Sequence, residues 1–283
     1  MPDEILVLIL SLLTTEEAIR TSVLARRWRY LWTFISHLDF DDDTVVSLLF
    51  CRPPSPTPND SDLEPTYPPF LVQRRRFVDW VNRVLNLHKG MHLDEFRLRF
   101  RVYGDHFESD IDSWINFAFQ KRVKRLHLLF ECSWASPDRP CTLTLPMLCN
   151  YRLYLLTELR LCSVEVTGEV LEYFLSACPL LEFLYVSMSE IGNLKISGPS
   201  LRLKHLDISY CMLDSLDIYA ENLVSFTYRG LKKNISFNYT PKLVMANIAG
   251  PYVSYFIKSL FQLPSYISQL ETLVLGIRHE VSM

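Results

Sequence analysis

A six-residue pattern, apolar-x-x-apolar-x-apolar, recurs eight times along this chain and limits what it can fold into. It reads LDEFRL at Leu93–Leu98, VKRLHL at Val123–Leu128, LTELRL at Leu156–Leu161 and LEFLYV at Leu181–Val186. It continues as LKHLDI at Leu203–Ile208, LVSFTY at Leu223–Tyr228, LVMANI at Leu243–Ile248 and LETLVL at Leu270–Leu275. One such match is worthless, because any leucine-rich chain produces them. Eight in one phase, evenly spaced from Leu181 to Leu243, describe a coil of about 20–29 residues with one short strand each. A coil of that size cannot bury its own apolar face, so neighbours stack and share a core. The pattern therefore predicts an α/β solenoid. A shorter echo, NLKI from Asn193, SLDI from Ser215 and NISF from Asn234, is expected to form the other wall of the same coils.

Two of the gaps are long enough for helices. Asp110–Lys121 puts Ile111, Trp114, Ile115 and Ala118 on one face, and Thr167 can cap a helix whose face is Val170, Leu171, Phe174 and Leu175. Ahead of the repeats, Phe77, Val81, Val84 and His88 also recur at helical spacing. Residues 52–69 are rich in proline and polar residues and read as a linker or long loop. Residues 1–40 read as a helical hairpin. Pro2, Asp3 and Glu4 suit a first turn, and Thr14–Glu17 is a capping-box sequence. From there a second helix would run on through SVLARRWRYLW, Ser22–Trp32, with Leu24, Trp28, Leu31 and Trp32 as one apolar stripe and Arg26, Arg27 and Arg29 off it. Such a unit has more apolar surface than about 40 residues can bury alone. The expected division is residues 1–45, a helical domain; 46–72, a proline-rich connection; and 73–283, the repeats.

Chemistry is hard to find. Net charge is −3 and the pI about 6.2, which argues against a generic nucleic-acid grip. Glycine numbers only 8, and neither a Rossmann nor a P-loop pattern occurs. The 7 cysteines are odd in number with no CxxC pair, so reduced, packed thiols are expected rather than zinc ligands or disulfides. Cys178 is one of these. His88 and His92 lack the glutamate of an HExxH site. Asp41–Asp43 reads as a solvated turn and Arg74–Arg76 as a solvated helix face. Ile5–Leu13 is far short of the ~20 residues that span a bilayer, and acids stand where a signal peptide needs basic residues. No GxSxG elbow appears. A hydrolase or transferase would need a nucleophile–base pair, and none stands at recognisable spacing. The expectation is a soluble intracellular protein, cytoplasmic and/or nuclear, with no catalytic residues, no metal and no cofactor.

The opening residues resemble the F-box, above all the plant-type F-box that precedes leucine-rich repeats. Pro2-Asp3-Glu4-Ile5-Leu6, Ile9-Leu10-Ser11, Ala18, Ser22-Val23-Leu24 and Arg26–Trp32 carry the likeness, and LDFDD at Leu38–Asp42 is similar to the segment that follows. FVDWVNRVL, LDEFRLRF, DIDSWINFA and LTELRL are similar to the same family's repeat domain, so the likeness covers nearly the whole chain. Met1 stands where the family usually has Leu, and no FBD region follows the last repeat. The chain thus looks short at both ends.

The resemblance implies a small N-terminal helical F-box followed by an irregular leucine-rich-repeat solenoid. It implies a non-enzymatic substrate adaptor of a Skp–cullin–F-box ubiquitin ligase. Its F-box would dock on a Skp-type adaptor, and through it on cullin, by Pro2, Ile5, Leu6, Ile9, Leu10, Leu24, Trp28 and Trp32. The tryptophans would be shared between that interface and the unit's own core. Its repeats would hold a protein target, with neither nucleic acid nor membrane as partner. The penultimate x positions of the strands, Arg97, His127, Arg160, Tyr185, Asp207, Thr227 and Asn247, would form the target-binding ridge. The alternative is a repeat scaffold, or a competitor of longer relatives, whose shortened F-box no longer engages the adaptor.

Overall fold

Each of the eight repeated hexamers supplies a strand to one parallel sheet. The computed structural model describes residues 2–42, 69–102, 107–132, 141–198, 200–231, 233–259 and 269–276. The chain opens with α1 (Asp3–Leu10), α2 (Thr15–Arg20), two 3-10 segments (Thr21–Val23 and Arg26–Phe34) and β1 (His37–Asp41). Then come α3 (Pro69–Leu87), β2 (Glu95–Val102), α4 (Glu108–Gln120), β3 (Arg125–Cys132), α5 (Leu145–Leu148) and β4 (Glu158–Cys162). Next are α6 (Gly168–Ala177), β5 (Phe183–Ser187), β6 (Glu190–Ile196), β7 (His205–Ser209), β8 (Met212–Tyr219) and β9 (Ser225–Arg229). The last elements are β10 (Asn234–Tyr239), β11 (Met245–Ala249), α7 (Tyr252–Ser259) and β12 (Thr272–Gly276). Apart from Pro69, the proline-rich stretch 52–69 lies outside the described residues.

The main sheet runs β1-β2-β3-β4-β5-β7-β9-β11-β12 in simple sequence order. The period of two sends alternate side chains to opposite faces. Leu38, Phe96, Leu126, Leu159, Leu184, Leu206 and Phe226 stand in one register row, each at most 1% exposed. The echo motifs form the second wall, a three-stranded sheet ordered β10-β8-β6, with Asn193, Ser215 and Asn234 in register. In the earlier coils helices cover the core instead. Ile111, Trp114, Ile115 and Ala118 of α4 are all buried, and Trp114 Nε1 donates to Asn82 Oδ1 of α3 at 2.6 Å. Thr167 caps α6 by accepting from the Val170 N–H at 3.4 Å.

The coils turn by a device with no sequence signature. Ser163, Met188 and Tyr210, directly after β4, β5 and β7, have φ of 56°, 54° and 56°, and Gly250 after β11 has 82°. Each left-handed residue aims its N–H at the last carbonyl of the next strand in the sheet. The bonds are Ser163 to Ser187 (2.9 Å), Met188 to Ser209 (3.0 Å), Tyr210 to Arg229 (2.6 Å) and Gly250 to Gly276 (3.2 Å). The hydrogen bonds between coils thus offset a conformation that costs non-glycine residues.

Three expectations need correction. The stripe Leu24–Trp28–Leu31–Trp32 does not lie on one α-helix. α2 stops at Arg20, the Thr21 hydroxyl bonds back to the Ala18 carbonyl at 2.6 Å, and Ala25 is extended at φ −160°, ψ 158°. A Thr-Ser-Val run is weak helix material, and the chain re-enters as a tighter 3-10 helix. Asp41 and Asp42 are no solvated turn: Asp41 ends β1, and Asp42 is 4% exposed. Nor is Arg74 on a solvated face; it is 8% exposed, with Nε 3.8 Å from Asp42 Oδ2. A buried acid and a buried guanidinium settle against each other because neither tolerates burial alone.

β1 ties the N-terminal unit to the sheet, and a second seam reinforces it. Thr33 accepts the backbone N–H groups of Lys89 and Gly90 at 2.7 and 3.2 Å, and Ser36 accepts those of Asp94 and Glu95. His88, 6% exposed, donates through Nε2 to the Ile35 carbonyl at 2.9 Å. Burial holds its pKa below the usual 6.5, opposed by that carbonyl and aided by Lys121.

Two outcomes follow from this packing. A Cβ built on Gly168 would lie 1.7 Å from the Asn193 carbonyl oxygen, so only glycine at this position lets α6 approach β6 this closely. Gly168→Ala is expected to lower stability by roughly 1–3 kcal/mol in denaturant unfolding; an unchanged midpoint contradicts the contact. For His88 the unfolded chain titrates near ~6.5 and the folded chain lower. Between those values the unfolded state binds more protons, so stability falls as pH drops through that window. His88→Gln keeps an N–H donor without the titration. Its loss of Tm between about pH 7.5 and about pH 5.5 should be smaller than that of the wild type.

Candidate partner-binding surfaces

The N-terminal unit is built by local capping and one long-range ion pair. Thr14 accepts from the Glu17 N–H at 3.3 Å while Glu17 accepts from the Thr14 N–H at 3.0 Å. Arg27 reaches back to Asp3 at 2.6 Å, fastening the second 3-10 segment to α1. Among the residues read as adaptor contacts, Leu6, Leu10 and Trp32 are buried inside the chain, and Trp28 is half-buried against the same core. Pro2, Ile5, Ile9 and Leu24 face outward, with Leu24 69% exposed. The structure adds three that were not singled out: Leu8, Leu12 and Val23, at 67%, 86% and 84%. The signal for Leu8 and Leu12 was present in Ile5–Leu13, apolar all round except for Ser11, whereas Val23 lies beyond that run in the first 3-10 segment. Only some of those side chains can face a core of this size, and the rest stand in solvent.

The second surface is the face of the main sheet turned away from the core. All seven ridge residues stand in one register row, Arg97–His127–Arg160–Tyr185–Asp207–Thr227–Asn247, running from β2 to β11. Their exposure is uneven. Arg97 is exposed, His127 is only 5% exposed, and the rest are half-buried. His127 is wedged between two glutamates, Nε2 at 3.1 Å from Glu158 and Nδ1 at 3.6 Å from Glu95. Burial nevertheless pushes its pKa below the ordinary value, outweighing both acids. Burial would raise Glu95, but the Arg125 hydrogen bonds at 2.9 and 3.0 Å, with His37 and His127 alongside, hold it below the usual carboxylate range.

The chemistry of this face changes along the sheet. On β1–β4 it is a ladder of ion pairs, cross-strand for Arg97 with Asp39, Arg99 with Asp41, Arg101 with Glu131 and Arg125 with Glu95, and within β4 for Arg160 with Glu158. From β5 onward it is mainly aromatic and neutral. Arg160 stacks 4.2 Å from the Phe183 ring, where the two halves meet. Phe183, His205, Ser225 and Met245 flank the ridge on one side in their own register row. Arg229 bonds to Asp207 at 3.2 Å on the other side. Spacing alone pointed to the central row and overlooked its flanks.

Ser225 Oγ and His205 Nδ1 lie 2.7 Å apart, a hydroxyl–imidazole contact that sequence spacing does not reveal. Among the described residues no carboxylate bonds to the second His205 nitrogen, so the orienting member of a catalytic triad is lacking. Cys178 is buried, and burial pushes its thiol up to about 12; Cys141 is raised further by the same cause. Burial thus disfavours the thiolate, the nucleophilic form, at both. No helix among the described residues is long and apolar enough to cross a membrane.

Comparison with known proteins agrees with this geometry. The F-box domain model matches residues 1–48, and the model described as At1g61320/AtMIF1, LRR domain, matches residues 146–283. The F-box/FBD/LRR-repeat protein At1g13570 of Arabidopsis thaliana is 32% identical over 236 residues, covering 78% of this chain and 50% of the relative. The F-box/LRR-repeat protein At2g42730 of the same plant is 26% identical over 300 residues, 99% of this chain and 58% of the relative. This chain thus spans about half the length of the curated relatives it matches. No solved structure matches it. With an F-box at its start, repeat coils after it and F-box/LRR-repeat relatives along nearly its whole length, the chain belongs to the plant-type F-box/leucine-rich-repeat proteins.

Proposed function

We propose that the protein is a substrate-recognition adaptor of a Skp–cullin–F-box ubiquitin ligase. Residues 1–45 dock on a Skp-type adaptor and through it on cullin, 46–72 connect, and 73–283 hold a protein target. One observation carries the adaptor half: Ile5, Leu8, Ile9, Leu12, Val23 and Leu24 all stand at least 41% exposed on one small unit. Solitary exposed leucines are ordinary, but a set this dense marks an interaction surface. Each such side chain gains about 1.5–3 kcal/mol when fully buried, enough in sum to exceed the cost of association. Leu6, Leu10 and Trp32 act from beneath, by holding that surface in shape.

On the target side, the row Arg97–Asn247 offers guanidinium, aromatic and neutral polar groups on rigid strands. Arg97 and the half-buried Arg160, Tyr185, Asp207, Thr227 and Asn247 are the contacts, and the enclosed His127 holds Glu95 and Glu158 in place. The chain itself performs no chemistry in this reading. It brings a target lysine near the conjugating machinery and so contributes proximity. F-box proteins act inside the cell, which fits cytoplasmic and/or nuclear residence.

The test is a titration of the purified protein against a plant Skp-type adaptor. Ile9→Asp and Leu24→Asp should each weaken binding at least about tenfold with circular dichroism unchanged, whereas Met245→Asp on the sheet face should not. No binding by the wild type, or equal binding by all three variants, contradicts the reading.

A further inference from the structure

A third surface lies at the seam between the F-box unit and the repeats, and its chemistry differs from both faces above. The carbonyl of Thr33 clamps the backbone of Lys89 and Gly90. This sets the turn after α3 against the second 3-10 segment. Exposed apolar side chains gather there from both sides: Tyr30 (60%) and Phe34 (48%) from the 3-10 segment, Leu87 (47%) and Met91 (81%) from α3 and the turn. Two cations share one of these rings, with the Arg29 guanidinium 5.7 Å and the Lys89 ammonium 6.0 Å from the centre of Tyr30. Lys121 donates to the Gly90 carbonyl at 2.6 Å, which leaves its charge uncompensated, and Arg122 beside it is exposed.

The charge balance here is unlike that of the sheet face. The sheet face neutralises its arginines with carboxylates strand by strand. At the seam, Arg29, Lys89, Lys121 and Arg122 have no carboxylate within ion-pair distance among the described residues. The acids that reach its borders are already taken, Asp3 by Arg27 and Asp94 by Lys124. Four uncompensated cations on a chain of net charge −3 are a local excess whose field attracts anionic partners. The clamp on Thr33 and the His88–Ile35 bond hold the patch rigid, so little ordering entropy is lost when it is covered.

We propose that this seam docks an acidic segment of a partner protein in which carboxylates alternate with apolar side chains. The carboxylates would meet Arg29, Lys89 and Arg122, and the apolar groups would cover Tyr30, Phe34 and Met91. A bare polyanion such as nucleic acid would leave Phe34, Leu87 and Met91 uncovered, which is why the peptide is the occupant. The surface is distinct from the exposed set on Ile5–Leu24, and its test needs no Skp-type adaptor, so failure here leaves the adaptor titration undecided and the reverse also holds.

The experiment is fluorescence anisotropy with the full chain and a short labelled peptide alternating glutamate with leucine. Its lysine-for-glutamate counterpart and a single-stranded oligonucleotide serve as the other arms. The glutamate peptide should bind, and raising ionic strength should weaken it as the Debye length shrinks from about 30 Å at 0.01 M to about 8 Å at 0.15 M. Arg29→Glu combined with Lys89→Glu should cut affinity at least about tenfold at unchanged circular dichroism. Met91→Asp should weaken it severalfold, while Arg29→Lys with Lys89→Arg retains it. Failure of the wild type to bind, equal binding by the charge-reversed variant, or tighter binding of the oligonucleotide overturns the proposal.

Discussion

The fold depends on one constraint: no coil of this chain can bury its own strand. Each strand sends two or three side chains inward, and they are shielded only when the strands on either side send theirs to the same depth. The row from Leu38 to Phe226 meets that condition at every step. The left-handed residues after β4, β5, β7 and β11 close the circuit, since their N–H groups bond only to the neighbouring coil. Stability in such an array is a sum of contacts between neighbours rather than the property of a single core.

That constraint explains why the F-box unit is part of the solenoid rather than a bead on a string. β1, within that unit, is the edge strand of the main sheet among the described residues and pairs with β2 from His37–Glu95 to Asp41–Arg99. Thr33, Ile35 and Ser36 accept hydrogen bonds from the turn that leads into β2. The exposed apolar side chains of α1 and the open face of the sheet are therefore held in one fixed relation. Under the proposed adaptor function that property matters, because a target offered at a variable angle loses most of the advantage of being close.

Much of this was legible in the sequence. The eight hexamers marked eight of the nine main strands, and the three echo motifs marked the second wall, because strand periodicity and burial act on a few residues at a time. The capping box at Thr14 and the cap at Thr167 were legible for the same reason. What was missed depends on distant partners. β1 escaped notice because HLDFD precedes the first full repeat and carries aspartates, which the arginines of β2 neutralise across the strands. The run from Thr14 to Trp32 looked like one helix, because apolar spacing cannot register the break at Ala25. Left-handed Met188 and Tyr210 have no local signature at all. On the N-terminal unit, apolar content marked the apolar segments but not which side each residue faces: Leu6, Leu10 and Trp32 turned inward, and Leu8, Leu12 and Val23 outward.

The proposed function rests on two separate binding faces held on one rigid scaffold. Hydrogen exchange of the protein, alone and saturated with a Skp-type adaptor, tests it most directly. Under the proposed function, new protection is confined to α1 and the two 3-10 segments, with β5, β7, β9 and β11 unchanged and the sheet face still open for a target. Protection spreading over those strands, or none in the first 34 residues, would contradict it.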